Sequence, residues 1–592
     1  MKISKYCYLP ILFIWIFFSS CFENIQNKRK EISKITGDTT LNENRDVGSV
    51  SLREDILPVI TIADSNPDTL NIVDFGAVGN GVVDNSGAIQ KAINALSDNQ
   101  VLVIPKGTFL VRESLIVNKS NIKIIGKGDG SIIQYQRGKF TKTKRLLYGF
   151  HLRNAANVLF ANFKIIGGAS NFKEIILDDS RKQTWDVDGA YHLFFIQPES
   201  EYSVSGITFD GLDLSYSFFD AIHSYARPAD PGPKYKSRNI YVKNCKFSNI
   251  GSHGVGLGLV NTLEVENCKF HNMGLMKMLN SNVGSGMAVD ASGGSENVLI
   301  KNNYVNGAAA GFKCETHENN GGKHLPSKNI TIIGNTINNL YKGKEYEIFY
   351  GIKANGLNVQ VENNRINSYF HGVLVGKDAK SCVIRGNIIY VNGVGAAGIR
   401  LDKNGGKHEV MSNQILHSKG QGILISNASD VNVRGNIVLN SSLDNIRVTG
   451  GSQIKISDNI CANAGNINIC VVPVQGLSIN EVYVNDNICY DLNGDVKPKE
   501  KRVLSSNANN VTIQNNKFVV SASTTSVSKP LSADSCATLQ FVSKRPISGY
   551  FEKGQVFLKL RDDQTLIEDK VLGWECIQSG SPGKWKTIEV NI

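Results

Sequence analysis

One eight-residue phrase recurs from residue 240 to residue 518 and leaves few folds open to the chain. The phrase has two apolar or β-branched residues at alternate positions, two polar residues, an Asn or Cys, and an apolar residue two further on. It reads IYVKNCKF at 240–247, LEVENCKF at 263–270, VLIKNNYV at 298–305, ITIIGNTI at 330–337 and VQVENNRI at 359–366. It continues as CVIRGNII at 382–389, HEVMSNQI at 408–415, VNVRGNIV at 431–438, IKISDNIC at 454–461, VYVNDNIC at 482–489 and VTIQNNKF at 511–518. Successive Asn or Cys positions are 23, 35, 32, 29, 23, 26, 23, 23, 28 and 29 residues apart. The base period is therefore near 23, with insertions. Each phrase is a period-2 strand, a polar bend and the start of a second strand. A further strand opened by Gly or a small residue follows in most coils, as in GVGLG at 254–258, GMAVD at 286–290, GFKCE at 311–315 and GIKAN at 351–355. Strands this short cannot bury an apolar face alone, whereas stacked as a solenoid they share one core. The recurrent Asn is expected to tolerate left-handed backbone at the bend and to bond its counterparts in the coils above and below.

The repeat also changes what the length means. A chain of 592 residues suggests about four domains by size alone, but one solenoid absorbs most of it. The expected division is a signal peptide at 1–20, a lipidated Cys21 with a polar tether to 68, the solenoid at 69–525 and a small β module at 526–592. Lys2 and Lys5, the apolar run from Leu9 to Phe18, and Ser19 and Ser20 before Cys21 resemble a bacterial lipoprotein signal. Export and attachment to a membrane through lipid alone are the corresponding expectations. The net charge of +11 comes without a polybasic run, so nucleic acid is not an expected partner. Most of the 11 Cys, including Cys245, Cys268, Cys382, Cys461 and Cys489, fall in apolar strand patterns and read as small core residues. No CxxC pair has metal spacing, so no zinc or iron–sulfur site is expected. Cys536 and Cys576 are the pair to test for a disulfide.

The segment NIVDFGAVGNGVVDNSGAIQKAINAL at 71–96, followed by VLVIPKGTFLV at 101–111, resembles the N-terminal signature of the pectate-lyase-like right-handed parallel β-helix superfamily. That superfamily includes polygalacturonases, rhamnogalacturonases, epimerase-like domains and phage tailspike depolymerases. The resemblance implies an all-β right-handed parallel β-helix whose open end is closed by a capping helix, here about Asn85 to Leu96 with Asp84 or Asn85 as N-cap. The ending GYFEKGQVFLKL and GWECIQSGSPGKWKTIEV resembles a small β module appended to such proteins, with Trp574 and Trp585 available for packing or for sugar.

Stacking places matching positions of the Gly-opened strands side by side, about 4.8 Å apart. Aligned on their opening small residues, the strands give one column of His223, Gly256, Ala288, Lys313, Lys353, Leu374 and Arg400. A second column holds Tyr225, Gly258, Asp290, Glu315, Asn355, Gly376 and Asp402. Asp220, His223, His253, Asp290, Lys313 and Glu315 form the candidate catalytic cluster, and glycines 254, 256 and 258 leave room for a ligand beside His253. His317, Lys353, Arg400, Asp402, Trp185 and Tyr235 are the candidate substrate-binding residues, with Tyr191, Tyr346 and Tyr350 further candidates for stacking on sugar.

The polygalacturonase pattern of catalytic carboxylates matches only at Asp220. Ser252 and His253 stand where the family has an Asp pair, and Lys313 and Glu315 where it has Arg-x-Lys. Two mechanisms follow. A lyase needs a base and a neutralised uronate carboxylate, which His253, His223 and Lys313 can supply, with Asp290 and Glu315 holding a Ca²⁺ ion where one is used. A hydrolase needs two carboxylates, drawn from Asp220, Asp290 and Glu315. The missing Asp pair and the basic residues favour the lyase. The expected protein is thus an exported enzyme acting on an extracellular, acidic polysaccharide, with a C5-epimerase or a non-catalytic glycan-binding solenoid as the rivals. Nothing in the sequence sets the oligomeric state.

Overall fold

The computed structural model describes residues 68–491 and 508–520, apart from 137–138, 141–146, 171–174, 178–182, 186, 225–235, 276, 279–280, 285, 319–323, 340–349 and 404. It also describes four C-terminal strands at 539–542, 556–559, 571–578 and 584–589. The expected signal, Cys21, most of the tether, Tyr225, Tyr235, Tyr346 and Cys536 lie outside the described residues, and for Trp185, His317, Trp574, Cys576 and Trp585 only the backbone is described.

The recurrent phrase folds as its alternation requires. In the strand Ser237–Lys243, Ile240 and Val242 point into the core while Tyr241 and Lys243 alternate outward. The chain bends at Asn244 and runs on as Lys246–Ile250, burying Phe247 and Ile250. A third strand, Val255–Gly256, completes the coil before the next phrase begins at Val260. Coils pair parallel and in register: Ile240 meets Leu263, Val242 meets Val265, and Phe247 meets Phe270, whose ring stacks on it at 4.6 Å. The phrase strands form sheet 1, the strands after the bend form the 16-stranded sheet 2, and the Gly-opened strands form sheet 3. Sheets 1 and 3 join through the continuous strand Ile446–Ser457 into one 28-stranded sheet. Parallel crossovers of this kind wind right-handed, and the chain is a right-handed parallel β-helix.

At the bend, two tasks expected of one Asn are divided between two neighbouring residues. Left-handed backbone belongs to the residue before: Asn244, Asn267, Asn302, Asn363, Ser412, Asp458, Asp486 and Asn515, with glycines at 334, 386 and 435. Polar side chains and Gly tolerate that conformation. The next residue is the ladder. From Asn303 through 335, 364, 387, 413, 436, 459 and 487 to Asn516, each backbone N–H donates to the side-chain oxygen of the following coil's Asn, at 2.8–3.1 Å. Each side-chain NH₂ in turn reaches a carbonyl of the preceding coil, for example Asn387 to Val361 and Asn413 to Ile384, both at 2.8 Å. Every buried polar atom in the row thereby gains a partner, which an apolar bend would not provide. Cys268 and Cys245 take over the row at its N-terminal end, their thiols facing the carbonyls of Val242 and Phe209 at 3.5 Å. They are buried free thiols, as are Cys314, Cys382, Cys461, Cys470 and Cys489.

The N-terminal helix spans Ser86–Ala95 and buries Ile89, Ala92 and Ile93 over the first coils. Asn85 holds the N-cap position, but its side chain bonds Val78, Val83 and Leu110 rather than the helix. Asp84 performs the capping, accepting from the backbone N–H of Ser86 at 3.0 Å. The insertions border sheet 3. Strands Ile175–Leu177, Gln183–Trp185, Lys277–Met278 and Ser281–Gly284 unite two of them into a four-stranded sheet. A short hairpin, His317–Glu318 with His324–Leu325, follows the sheet 3 strand Ala310–Glu315.

The ladder makes a direct prediction. Asn413→Ala strips a partner from the buried N–H of Asn387 and from the Ile384 carbonyl, and should cost roughly 2–3 kcal/mol in urea unfolding monitored by circular dichroism. A variant as stable as the parent would show that the row does not stabilise the fold.

Candidate active site

Sheet 3 carries the candidate residues, and its register corrects one of them. Gly256 pairs with Asp290, and Asp290 with Lys313, so Asp290 stands in the column of His223 and Lys313, not in that of Glu315. The small residue opening that strand is Ala288, which packs over Gly254; alignment on Gly286 displaced the strand by two. The observed outward column runs Phe195, His223, Gly256, Asp290, Lys313, Lys353, Leu374, Arg400.

Asp220 organises the cluster. It is fully buried at the turn before the strand Ile222–Ser224. One carboxylate oxygen accepts the backbone N–H of His253, and the other accepts from Nδ1 of His223, both at 2.7 Å. Burial pushes its pKa up, but the imidazoles of His253, His223 and His192 and the bond from His223 outweigh that and hold it at about 2. It stays ionised, with both oxygens engaged.

The two histidines are fixed in opposite senses. His223 donates its Nδ1–H to Asp220, so in the neutral ring Nε2 carries a lone pair, and the ring lines the cleft. His253 accepts at Nδ1 from the backbone N–H of Met287 at 3.1 Å. Its proton is therefore on Nε2, which points to Asp290 at 3.8 Å. His253 is thereby a hydrogen-bond donor, and the expectation that it serves as a base loses its nitrogen to the next coil's backbone.

Between these rings lies Gly256, where an added Cβ would stand 2.7 Å from Asp220 and 3.3 Å from the His253 ring. Phe219, Leu257, Gly258, Leu259, Ser292, Gly293 and Leu325 complete a cleft of about 170 Å³. Asp290 accepts from the Ser292 hydroxyl on one oxygen and faces Lys313 at 3.5 Å on the other. Lys313 also bonds Glu315 at 2.8 Å, and Glu315 is shared with Lys353. Burial raises the Glu315 pKa, but the two ammonium groups overcome it and set it at about 2. Lys313 in turn is pulled down by burial and raised further by Asp290 and Glu315, so it remains a cation. The ammonium of Lys313 occupies the space between the two carboxylates expected to hold Ca²⁺. That donor set, already neutralised by two lysines, does not fit the ion.

The remaining candidates fall elsewhere. Arg400 and Asp402 bond each other at 2.8 Å, four strands beyond Asp290, or about 19 Å. They belong to the same face but not to the cluster. Tyr350 is buried, its hydroxyl against the Met287 sulfur, and reads as packing. Tyr191 stacks on Phe219 at 5.2 Å beside the cleft. Sequence reasoning missed Phe219, Ser292, Leu325 and His192, the last a buried ring lying parallel to His223 at 4.2 Å. His192, Asp220 and His223 could be taken for a metal cluster. Parallel rings, however, direct their lone pairs side by side rather than at one ion.

A family model described as rhamnogalacturonase A/epimerase, pectate lyase-like matches residues 69–313, and a right-handed beta helix region model matches residues 234–405. No curated protein matches the sequence. Among solved structures, pre-mature bacteriophage phi29 gene product 12 is 15% identical, with 81% of this chain and 60% of that chain covered and a TM-score of 0.48. This chain thus spans 60% of the phage protein's length. The catalytic unit of an alpha-1,3-glucanase from Streptomyces thermodiastaticus is 14% identical, covering 77% of this chain and 70% of its own, with a TM-score of 0.43. A mannuronan C-5 epimerase A-module from Azotobacter vinelandii is also 14% identical, covering 76% and 99% respectively, with a TM-score of 0.43.

The depressed pKa of Asp220 fixes the sign of a pH effect. Its charge stabilises the fold above the unfolded value near 3.9 and ceases to do so as pH falls to about 2. Asp220→Asn should therefore be less stable than the parent by roughly 2 kcal/mol at neutral pH, the gap closing between about pH 5 and pH 2. Equal gaps at both ends, read by denaturant titration, would contradict this role.

Proposed function

From the membership of this chain in the pectate-lyase-like right-handed β-helix superfamily, we propose that it is a polysaccharide-active enzyme that removes the C5 proton of a uronate residue bound over Gly256. The observation that carries this reading is the pair of oppositely fixed imidazoles, one presenting a lone pair and the other an N–H. His223, oriented by Asp220, is the base, and the same Asp stabilises the imidazolium that proton removal creates. His253 donates from Nε2 to the substrate carboxylate, on which negative charge develops. A neutral imidazole is suited to that task because it stabilises the charge without giving up its proton. Lys313, held cationic one coil beyond Asp290, offsets the Asp290 carboxylate on the same side.

In β-elimination the C5–H electrons form the C4–C5 double bond, the C4–O4 bond breaks with its pair, and the proton taken by His223 is available to the leaving oxygen. The hydrolase alternative needs one carboxylic acid kept protonated opposite a carboxylate. Asp220 has neither a free oxygen nor a raised pKa, and Glu315 is clamped by two lysines, so the carboxylates of the cluster favour proton abstraction over hydrolysis.

Incubation with a panel of acidic and neutral polysaccharides tests this. The expected outcome is ultraviolet absorbance from an unsaturated uronate product, lowered about 10²- to 10⁴-fold in kcat by His223→Ala. Shortened chains without that absorbance would establish hydrolysis. Unchanged chain length with inverted C5 signals in the NMR spectrum would establish epimerisation by the same base. Binding without turnover would leave a glycan-binding solenoid.

A further inference from the structure

We infer that His192 is the positioning residue of the Asp220–His223 dyad, its ring face fixing the His223 imidazole and stabilising that ring once it is protonated. The inference rests on the reading of His223 as the base. His192 opens the strand His192–Ile196, one coil before the dyad, where the register Phe194 to Ile222 and Phe195 to His223 sets it opposite Asp220. Its ring lies against that of His223 with an interplanar angle of 2° and a centroid separation of 4.2 Å. Behind it stand Tyr148 at 5.9 Å and Phe195 at 5.6 Å, both nearly parallel, while Phe219 meets its edge at 5.7 Å.

A histidine is a costly choice for this slot. The ring is buried, and its Nδ1 has no hydrogen-bond partner, where a Phe among Tyr148, Phe195 and Phe219 would leave nothing unsatisfied. What the imidazole adds is a polar edge set toward the backbone of Asp220, which a Phe lacks. It thus touches both members of the dyad, the carboxylate's backbone through its edge and the base through its face. Burial, followed by the charge of His223, keeps the His192 pKa well below the usual histidine range, so the ring stays neutral. A neutral π face beneath an imidazolium is attractive.

Among the described residues, the groups facing His223 are Asp220 from its own turn, His192 and Phe195 from the preceding coil, and His253 from the following one, which reaches it through Asp220. Asp220 carries the one permanent charge in that set. The contribution of His192 is therefore separable from it by substitution.

The test is the titration midpoint of His223, followed by imidazole ¹³C NMR in the full chain, for the parent, His192→Leu and His192→Phe. Leu removes the face, so the protonated form loses its support and the midpoint should fall by roughly half a pH unit. Phe restores the face and should restore the midpoint, while the loss of the polar edge toward the Asp220 backbone lowers kcat with KM unchanged. The acidic limb of kcat/KM should move with the midpoint. If Leu prevents folding, His192→Met fills the slot without an aromatic face and makes the same comparison. A His223 midpoint unaltered in a folded Leu or Met variant, or one that Phe fails to restore, overturns the inference. A midpoint that shifts as expected in a protein with no activity on any uronate polymer instead overturns the reading of His223 as a base.

Discussion

In-register stacking of parallel coils, held by a buried row of amides, is the constraint on which the rest of this molecule depends. The row from Asn303 to Asn516 closes its own hydrogen bonds from one coil to the next. A slip of one residue would leave a buried N–H and a buried side-chain amide unpaired at every rung and would turn each strand's apolar face outward. Because the register is fixed, each outward position on sheet 3 becomes a column about 4.8 Å in pitch. Residues 34 positions apart in sequence, such as Gly256 and Asp290, thereby become neighbours.

The site uses that geometry twice. Asp220 spans a coil boundary, accepting from the ring of His223 in its own coil and from the backbone of His253 in the next. His253 spans the boundary after it, accepting from Met287. The tautomer of His253 is a consequence of coil stacking, whereas that of His223 is set by the carboxylate three residues before it, which the backbone of the next coil holds in place. Further along sheet 3, Lys313 lies between Asp290 and Glu315 and shares Glu315 with Lys353, so the cationic groups are held in place before a substrate arrives.

Much of the architecture was legible because a solenoid writes its period into the sequence. The alternation in IYVKNCKF gave the strand, the bend and the buried Ile240, Val242 and Phe247. What the phrase could not show was that the bend's two demands fall on successive residues, since an Asn often occupies both positions, as at 302–303 and 363–364. In the site, the cluster from Asp220 to Glu315 was visible as titratable residues on neighbouring strands. Its register was not, because Ala288 rather than a glycine opens one strand after an insertion. The direction of the His253 imidazole depends on the backbone N–H of Met287, and that of Asp220, which orients His223, on the backbone N–H of His253, groups that no side-chain pattern reports. His192 was hidden for a related reason: in HLFFI it reads as part of a buried apolar strand, which it is.

The central claim is that the fold sets His223 and His253 in opposite tautomers about one buried carboxylate. Long-range ¹H–¹⁵N correlation spectra of the full chain, labelled at histidine and recorded at neutral pH, measure this directly. The account predicts a protonated Nδ1 with a lone-pair Nε2 for His223, and the reverse for His253. A proton found on Nδ1 of His253, or one on Nε2 of a neutral His223, would contradict it.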